Sequence, residues 1–129
     1  MTPTNKIKRR ILQEAIAQGD FECEGSIDND GDVADAYSDF DGSDACQDYE
    51  SEFRCGEVET KLKCDFSSHY ESKSVAAKMD DGSWVGWTYW YGGGKYGEPN
   101  AIEWIKDVYN LECVETQEMV TVRKFKVLE

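Results

Sequence analysis

A glycine-rich stretch in the second half of the chain has the spacing of a phosphate-binding loop. Residues 92–97, GGGKYG, match G-x-G-x-x-G between a predicted strand and a predicted helix. Backbone N–H groups there, together with Lys95, are suited to holding an anion. A dinucleotide fold does not fit, because the preceding strand belongs to an antiparallel hairpin and the chain has only 129 residues. We interpret the glycines as a loop that needs positive φ, with an anion site as the alternative.

The residue types that bind zinc are poorly spaced. The cysteines include no C-x-x-C pair, and the single histidine, His69, follows the nearest preceding cysteine by five residues. Reduced thiols are therefore predicted, with one disulfide or a metal site as alternatives. The five cysteines are Cys23, Cys46, Cys55, Cys64 and Cys113.

Calcium binding and nucleophilic catalysis lack the residues they need. EF-hand registers through Gly31 or Gly42 place Ser26 or Tyr37 at the first position, where a carboxylate is required. His69 is the only histidine that could serve as a base, and adjacent residues on a strand do not face each other. We therefore predict no catalytic residues, no metal site, no cofactor and no enzymatic activity.

Acidic residues are concentrated in one third of the chain. The net charge is −13, and residues 19–59 hold fifteen acids and one base, so this segment accounts for essentially all of the excess. Aromatic residues are interspersed among the acids, unlike in a disordered acidic run. Such a charge repels nucleic acids and anionic membranes and favours a basic protein surface as partner. The predicted partner-binding residues are Asp28, Asp30, Asp32, Asp35, Asp39, Asp41 and Asp44.

Aromatic residues are concentrated in residues 84–99, WVGWTYWYGGGKYGEP, which hold three of the four tryptophans. Half of these rings are predicted to lie in the core, and the others are free to stack on a ligand or a partner. Tyr91, Lys95 and Tyr96 form the predicted secondary surface.

Elements that position these groups follow from periodicity. Residues 3–18 have helical apolar spacing, with Pro3 in the first turn and Gly19 as the C-terminal cap. The bases of this helix face solvent, the chain's own acids or a partner. Short strands are predicted near 20–27 and 32–40, joined by a turn at Asn29-Asp30-Gly31, and a loop or short helix over 43–54.

The remaining chain predicts a hairpin, a helix and a last strand. Strands are expected over 57–66, 69–79 and 83–91, and a turn at Asp80-Asp81-Gly82 joins the second to the third. A helix is expected over 99–110 and a strand over 119–128. Together these elements predict one α+β domain, residues 1–129, as a two-layer fold with five to six antiparallel strands and helices on one face.

Residues 84–99 also resemble a stretch found in short proteins of bacteria and their prophages. This resemblance covers at most the C-terminal half and implies no particular activity or site residue.

No signal-peptide core follows the N-terminal bases and no stretch is apolar enough to span a membrane, so we expect a cytoplasmic protein.

Two functional hypotheses follow from these features. In the first, the acidic segment imitates nucleic acid and occupies a basic nucleic-acid-binding channel of a host protein, as a phage-type anti-defence inhibitor (anti-CRISPR or anti-restriction) would. In the second, the aromatic hairpin over residues 84–96 binds a small ligand or a protein, and the acids serve solubility alone.

Overall fold

The computed structural model describes residues 1–93, 99, 102–117 and 119–128. Within these ranges the protein is α+β, with three α-helices followed by an antiparallel sheet of four strands. None of the described helices is long and apolar enough to cross a membrane. The helices are α1 (Pro3–Ala17), α2 (Asp30–Phe40) and α3 (Asp44–Phe53), and the strands are β1 (Val58–Glu59), β2 (Glu71–Lys78), β3 (Trp84–Tyr91) and β4 (Tyr109–Leu111).

Helix α1 confirms the N-terminal prediction. The Thr2 side chain accepts a hydrogen bond from the Asn5 N–H, which satisfies one of the free donors of the first turn. Gly19 has φ +78° just after the helix and ends it in the left-handed conformation. The buried face consists of Ile7, Ile11, Leu12 and Ala15.

Helix α2 replaces the strand predicted over residues 32–40. The hairpin turn predicted at 29–31 is instead a helix start, because the Asn29 side chain accepts from the Asp32 N–H. The buried residues Val33, Ala36, Tyr37 and Phe40 are spaced i, i+3, i+4 and i+7, which is the helical pattern. Residues 20–27 likewise form no strand. Phe21, Cys23 and Ile27 pack against the core, and no neighbouring strand pairs with them among the described residues.

Helix α3 confirms the short helix allowed over 43–54. Ser43 caps its N-terminus by accepting from the Cys46 N–H. Its inner face contributes Cys46 and Tyr49 to the core, and the Tyr49 ring lies 6.3 Å from the Phe40 ring of α2.

The hairpin of β2 and β3 is the centre of the sheet. Eight residue pairs join the two strands, from Glu71 opposite Tyr91 to Lys78 opposite Trp84, as the sequence predicted. The face carrying Val75, Ala77, Val85 and Trp87 packs against the helices. Because side chains alternate along a strand, the residues that lie between these on each strand point to the opposite face of the sheet.

Strand β1 is much shorter than the strand predicted over 57–66. Its two residues pair with Ala76 and Val75 of β2. Lys61 follows with φ +62°, a left-handed conformation that breaks an extended strand. As a result Leu62 and Phe66 are exposed rather than packed on a sheet face.

A 3₁₀ turn, Ile105–Asp107, and strand β4 lie in the later part of the segment where a helix is predicted over 99–110. Residues 94–98, 100 and 101 lie outside the described residues, so the start of the predicted helix is untested. The later part of the segment completes the sheet instead: Tyr109 pairs with Gly86. A Cβ on Gly86 would lie 2.6 Å from Leu111 Cδ1 and 2.9 Å from Tyr109 Cε2, so a larger residue here would displace these two side chains of β4.

The final strand predicted over 119–128 is not formed. In the described part of the C-terminal segment, the large apolar side chains are between 77% and 103% exposed. The four strands of the described sheet are therefore fewer than the five to six predicted.

Deletion of residues 114–129 is expected to leave the stability nearly unchanged, because these exposed side chains bury little apolar surface in the folded state. The free energy of unfolding should change by less than about 0.5 kcal/mol, as for ordinary surface changes. Urea denaturation of the full chain and of a variant ending at Cys113 measures this. A loss above about 1 kcal/mol would show that the segment packs on the fold.

Candidate functional site

The candidate site is a set of outward-facing carboxylates on α2 and α3. We call Asp35 and Asp39 of α2, with Asp44, Asp48 and Glu52 of α3, the acidic face. All five are exposed, whereas the other side of each helix is buried in the core. The core therefore holds both rows of carboxylates on regular helices that point them to solvent.

The acidic face is not neutralised within the part of the chain that the structure describes. None of its five carboxylates lies within ion-pair distance of a described base. Asp44, Asp48 and Glu52 follow one another at four-residue intervals, about 6 Å along the helix axis. Their negative charge is therefore available to an external cationic surface.

The charges of Asp35 and Asp39 oppose the stability of α2, the helix that carries them. Asp35 and Asp39 are like charges at i, i+4, and Asp39 lies in the last turn of α2, at the negative end of the helix dipole. Neither α2 nor α3 has a base in its last turn. The stability of the fold therefore does not explain why an acidic residue occupies position 39.

Four of the predicted contact residues have other positions. Asp30 accepts hydrogen bonds from the Asn5 side chain and the Thr2 N–H, which hold the pKa of that carboxyl below its ordinary value. Asp32 accepts from the side chains of Ser26 and Asn29 at the start of α2. Asp28 pairs with Arg9, and Asp41, just after α2, lines a cavity.

Two bases of α1, Arg9 and Arg10, contact the chain's own acids, which is one of the three alternatives that the sequence leaves open. Arg9 lies 2.8 Å from Asp80 and 3.8 Å from Asp28, and Arg10 lies 3.4 Å from Glu57. Hydrogen bonds from the side chains of Gln13 and Arg9 hold the pKa of Asp80 below its ordinary value, and the bond from Gln13 has the larger effect. These two arginines thus attach α1 to acids of the same chain, and two of these acids, Asp28 and Glu57, lie within the acidic segment.

A partly buried polar network joins α2 to α3. The Tyr37 hydroxyl donates to the Glu50 carboxylate, and the Cys46 thiol lies 3.5 Å from the same carboxylate oxygen. Burial is the main cause that raises the pKa of Tyr37, and the hydrogen bond to Glu50 raises it further. Burial also raises the pKa of Cys46, to about 11. Asp41, Cys46 and Glu50 each place a possible metal-ligand atom within 4.8 Å of the others. The hydrogen bonds to Glu50 already account for the arrangement of Tyr37 and Cys46.

The network predicts a loss of stability at alkaline pH. The unfolded chain releases the protons of Tyr37 and Cys46 near their ordinary pKa values, whereas the folded chain keeps them. The stability linked to Cys46 is therefore complete below about pH 9 and is lost as the pH rises toward about 11, whereas that linked to Tyr37 is complete below about pH 10 and declines above it. In urea denaturation at several pH values, Tyr37→Phe should show a shallower decline than the unmodified chain. Tyr109→Phe is the matched control, and equal declines in all three proteins would contradict the assignment.

Among the described rings of the aromatic stretch, Trp87 is buried, and Trp84, Tyr89, Trp90 and Tyr91 are half-buried. Trp87 is fully buried, its ring lies 4.8 Å from that of Trp104, and its indole N–H donates to the Arg54 carbonyl oxygen at 2.8 Å. Tyr91 is half-buried and stacks on Tyr89 at 5.5 Å. Gly92 and Gly93 have the positive φ predicted for the glycine loop. Lys95 and Tyr96 of the predicted secondary surface lie outside the described residues.

Sequence reasoning missed two members of the acidic face. The sequence alone does not assign Asp48 and Glu52, because it allows either a loop or a short helix over residues 43–54. Their four-residue spacing from Asp44 was the signal, since it places all three on one side of a helix.

All five cysteines are unpaired in the structure, with Cys46 buried and Cys55 exposed. Comparison with protein-family models, with curated proteins and with solved structures found no match to this chain.

Proposed function

We propose that the protein is a non-enzymatic inhibitor whose acidic face occupies a basic nucleic-acid-binding channel of a host protein. The observation that carries the proposal is the position of its charges. The carboxylates are exposed, lack described partners and include Asp39, whose charge destabilises its own helix. Residues that lower stability are often retained for a binding role.

The spacing of the charges supports imitation of a nucleic-acid strand. Neighbouring carboxylates along α3 are about 6 Å apart along its axis, and those of α2 are at similar intervals. One strand of B-form DNA has a phosphate about every 3.4 Å of axis, a spacing of the same order. A rigid helix presents this charge with little ordering cost on binding.

Electrostatic steering would bring the two proteins together. With a net charge of −13, most of it in residues 19–59, the chain is attracted over long range to a basic channel. Association by this route is fast and weakens with salt. An anti-defence role, against a CRISPR complex or a restriction enzyme, fits this mode of binding.

A second candidate function uses the rings on the outer face of the sheet. Trp84 and Trp90 lie on the face of β3 that points away from the helices, and both are half-buried, so each ring keeps exposed area. A small ligand or a protein partner would stack there. Trp90→Ala should abolish this binding, whereas it should leave binding by the acidic face unchanged.

The experiment that tests the first proposal is capture of host proteins on the immobilised chain at about 0.05 M and about 0.3 M salt. A nucleic-acid-binding protein should be retained at the lower concentration and released at the higher one. The variant with Asp35, Asp39, Asp44 and Asp48 changed to asparagine should retain much less of it. Equal retention by this variant would contradict the proposal.

A further inference from the structure

A cavity of about 530 Å³ lies between α1, the end of α2, α3 and the segment 102–106. Its size falls within the range of small-molecule sites, which is about 300–1,000 Å³. It lies apart from the acidic face, since none of the five residues of that face lines it. Its charged lining comprises Lys8, Asp41, Glu50, Arg54, Glu103 and Lys106.

One ion pair lies in this lining, since Lys106 Nζ is 3.6 Å from a Glu103 carboxylate oxygen. The other four charges, Lys8, Arg54, Asp41 and Glu50, have no ion-pair partner among the described residues. Glu50 accepts a hydrogen bond from the neutral Tyr37 hydroxyl and is half-buried, whereas Asp41 is exposed. The cavity thus presents two cations and two anions without an ion-pair partner, and Asp41 is the more accessible of the two anions.

Arg54 is held in place by its surroundings. It is the only base in residues 19–59, and its guanidinium carbon lies 4.9 Å from the centre of the Tyr89 ring. Its Nη1 donates to the Trp90 carbonyl oxygen at 2.6 Å. Its Nε is buried without a hydrogen-bond partner among the described residues.

Lys8 provides the second cation. Its Nζ lies 5.1 Å from the centre of the Tyr37 ring, so the ring face helps to hold the ammonium group at the cavity. The more accessible anion, Asp41, is exposed and suits a ligand ammonium group. The overall negative charge of the protein does not prevent anion binding here, because salt screens distant charges beyond about 8 Å at physiological ionic strength.

We propose that this cavity binds an acidic amino acid, which has two carboxylates for Lys8 and Arg54 and one ammonium group for Asp41. The two carboxylates complement the two unpaired cations, and the ammonium group complements Asp41, the exposed one of the two unpaired anions. A neutral amino acid lacks the second carboxylate, and a dicarboxylate without nitrogen lacks the ammonium group. The site is independent of the proposed inhibitor function.

Isothermal titration calorimetry with three probes tests the proposal. L-Glutamate or L-aspartate should bind with a Kd between about 10 µM and 1 mM. L-Glutamine and glutarate, which each lack one of the required charges, should bind at least about tenfold more weakly. No binding of either acidic amino acid at about 10 mM would overturn the proposal, as would equal affinity for L-glutamine or for glutarate.

Variants check that the binding occurs in this cavity. Lys8→Met and Asp41→Asn should each weaken L-glutamate binding about tenfold or more, without changing the Tm of the ligand-free protein. Lys6→Met is the matched control, since it removes the same charge from the same helix at a residue that does not line the cavity. If Lys8→Met and Lys6→Met bind L-glutamate equally, the assignment to the cavity is wrong.

Discussion

Replacing Trp87 by alanine is expected to lower the free energy of unfolding by about 3–5 kcal/mol. The side chain is fully buried between the sheet and the helices and lies against Trp104. Its removal leaves a cavity there and also leaves the Arg54 carbonyl oxygen without its indole donor. A loss of this size is a large part of the total stability of a small domain, about 5–15 kcal/mol.

Denaturation by urea, followed by far-UV circular dichroism, measures this effect without relying on the fluorescence of the deleted ring. Trp87→Phe is the informative comparison, because it keeps an aromatic ring and removes only the indole N–H and part of the volume. Its loss should be smaller than that of Trp87→Ala. Trp90→Ala, on the half-buried opposite face of the same strand, should also cost less.

The outcome also decides the role of this ring in the aromatic hairpin. If Trp87→Ala kept full stability and lost only the binding of a ligand, Trp87 would be a recognition residue and the described packing would be wrong. If stability falls as expected, any ligand-stacking role is limited to the less buried rings, such as Trp90 and Tyr91.

The second large effect concerns Asp39, for which stability and binding should change in opposite directions. Asp39→Asn removes a like-charge interaction with Asp35 and an unfavourable charge at the end of α2. The free energy of unfolding should therefore rise by about 0.3–1 kcal/mol at low salt. Urea is the suitable denaturant, because guanidinium chloride would screen the effect.

Binding to the basic partner should weaken when the same charges are removed. Exposed charge pairs each contribute up to about 1 kcal/mol, so changing Asp35, Asp39, Asp44 and Asp48 together to asparagine should reduce affinity by roughly 10- to 100-fold at low salt. The matched control neutralises four exposed acids elsewhere: Asp65→Asn, Asp107→Asn, Glu112→Gln and Glu115→Gln.

Equal losses in the two fourfold variants would show that net charge alone is responsible. A destabilised Asp39→Asn variant would show that this carboxylate stabilises α2. The proposed function would then lose its main support, which is that the charge of Asp39 destabilises its own helix.

The elements predicted correctly have strong local signals. Helix α1 has an N-terminal cap, a proline in the first turn and a glycine just beyond its end, all visible in the sequence. The hairpin of β2 and β3 has a turn with glycine at φ +86°, and the Asp81 side chain accepts from the Ser83 N–H. Local chemistry was sufficient in both cases.

The elements predicted wrongly depend on contacts distant in sequence or on ambiguous local chemistry. Asn29-Asp30-Gly31 suits either a hairpin turn or a helix start, and the burial of Ala36 favours the helix. The helix predicted over 99–110 rests on a helical apolar spacing that ends at Tyr109, yet Tyr109–Leu111 pairs with β3, about 25 residues earlier. Pairing between residues so distant in sequence cannot be predicted from the local spacing of apolar residues.

The acidic face was predicted in part, because composition locates charge but not its environment. Asp35, Asp39 and Asp44 are exposed, as a contact role requires. Asp30 is instead the anchor for the start of α1, a contact between residues 28 apart that no local pattern could predict. The cavity likewise joins residues from α1 to the 3₁₀ turn and has no counterpart in any sequence motif.

Displacement of nucleic acid from the captured partner tests the proposed function most directly. A labelled nucleic acid bound to that partner is titrated with the chain, and release is followed by fluorescence anisotropy. The unmodified chain and the control with neutralised Asp65, Asp107, Glu112 and Glu115 should release it completely. The variant neutralised at Asp35, Asp39, Asp44 and Asp48 should need roughly tenfold more protein or greater. Nucleic acid that stays bound at saturating chain, or equal release by both variants, would contradict nucleic-acid mimicry by the acidic face.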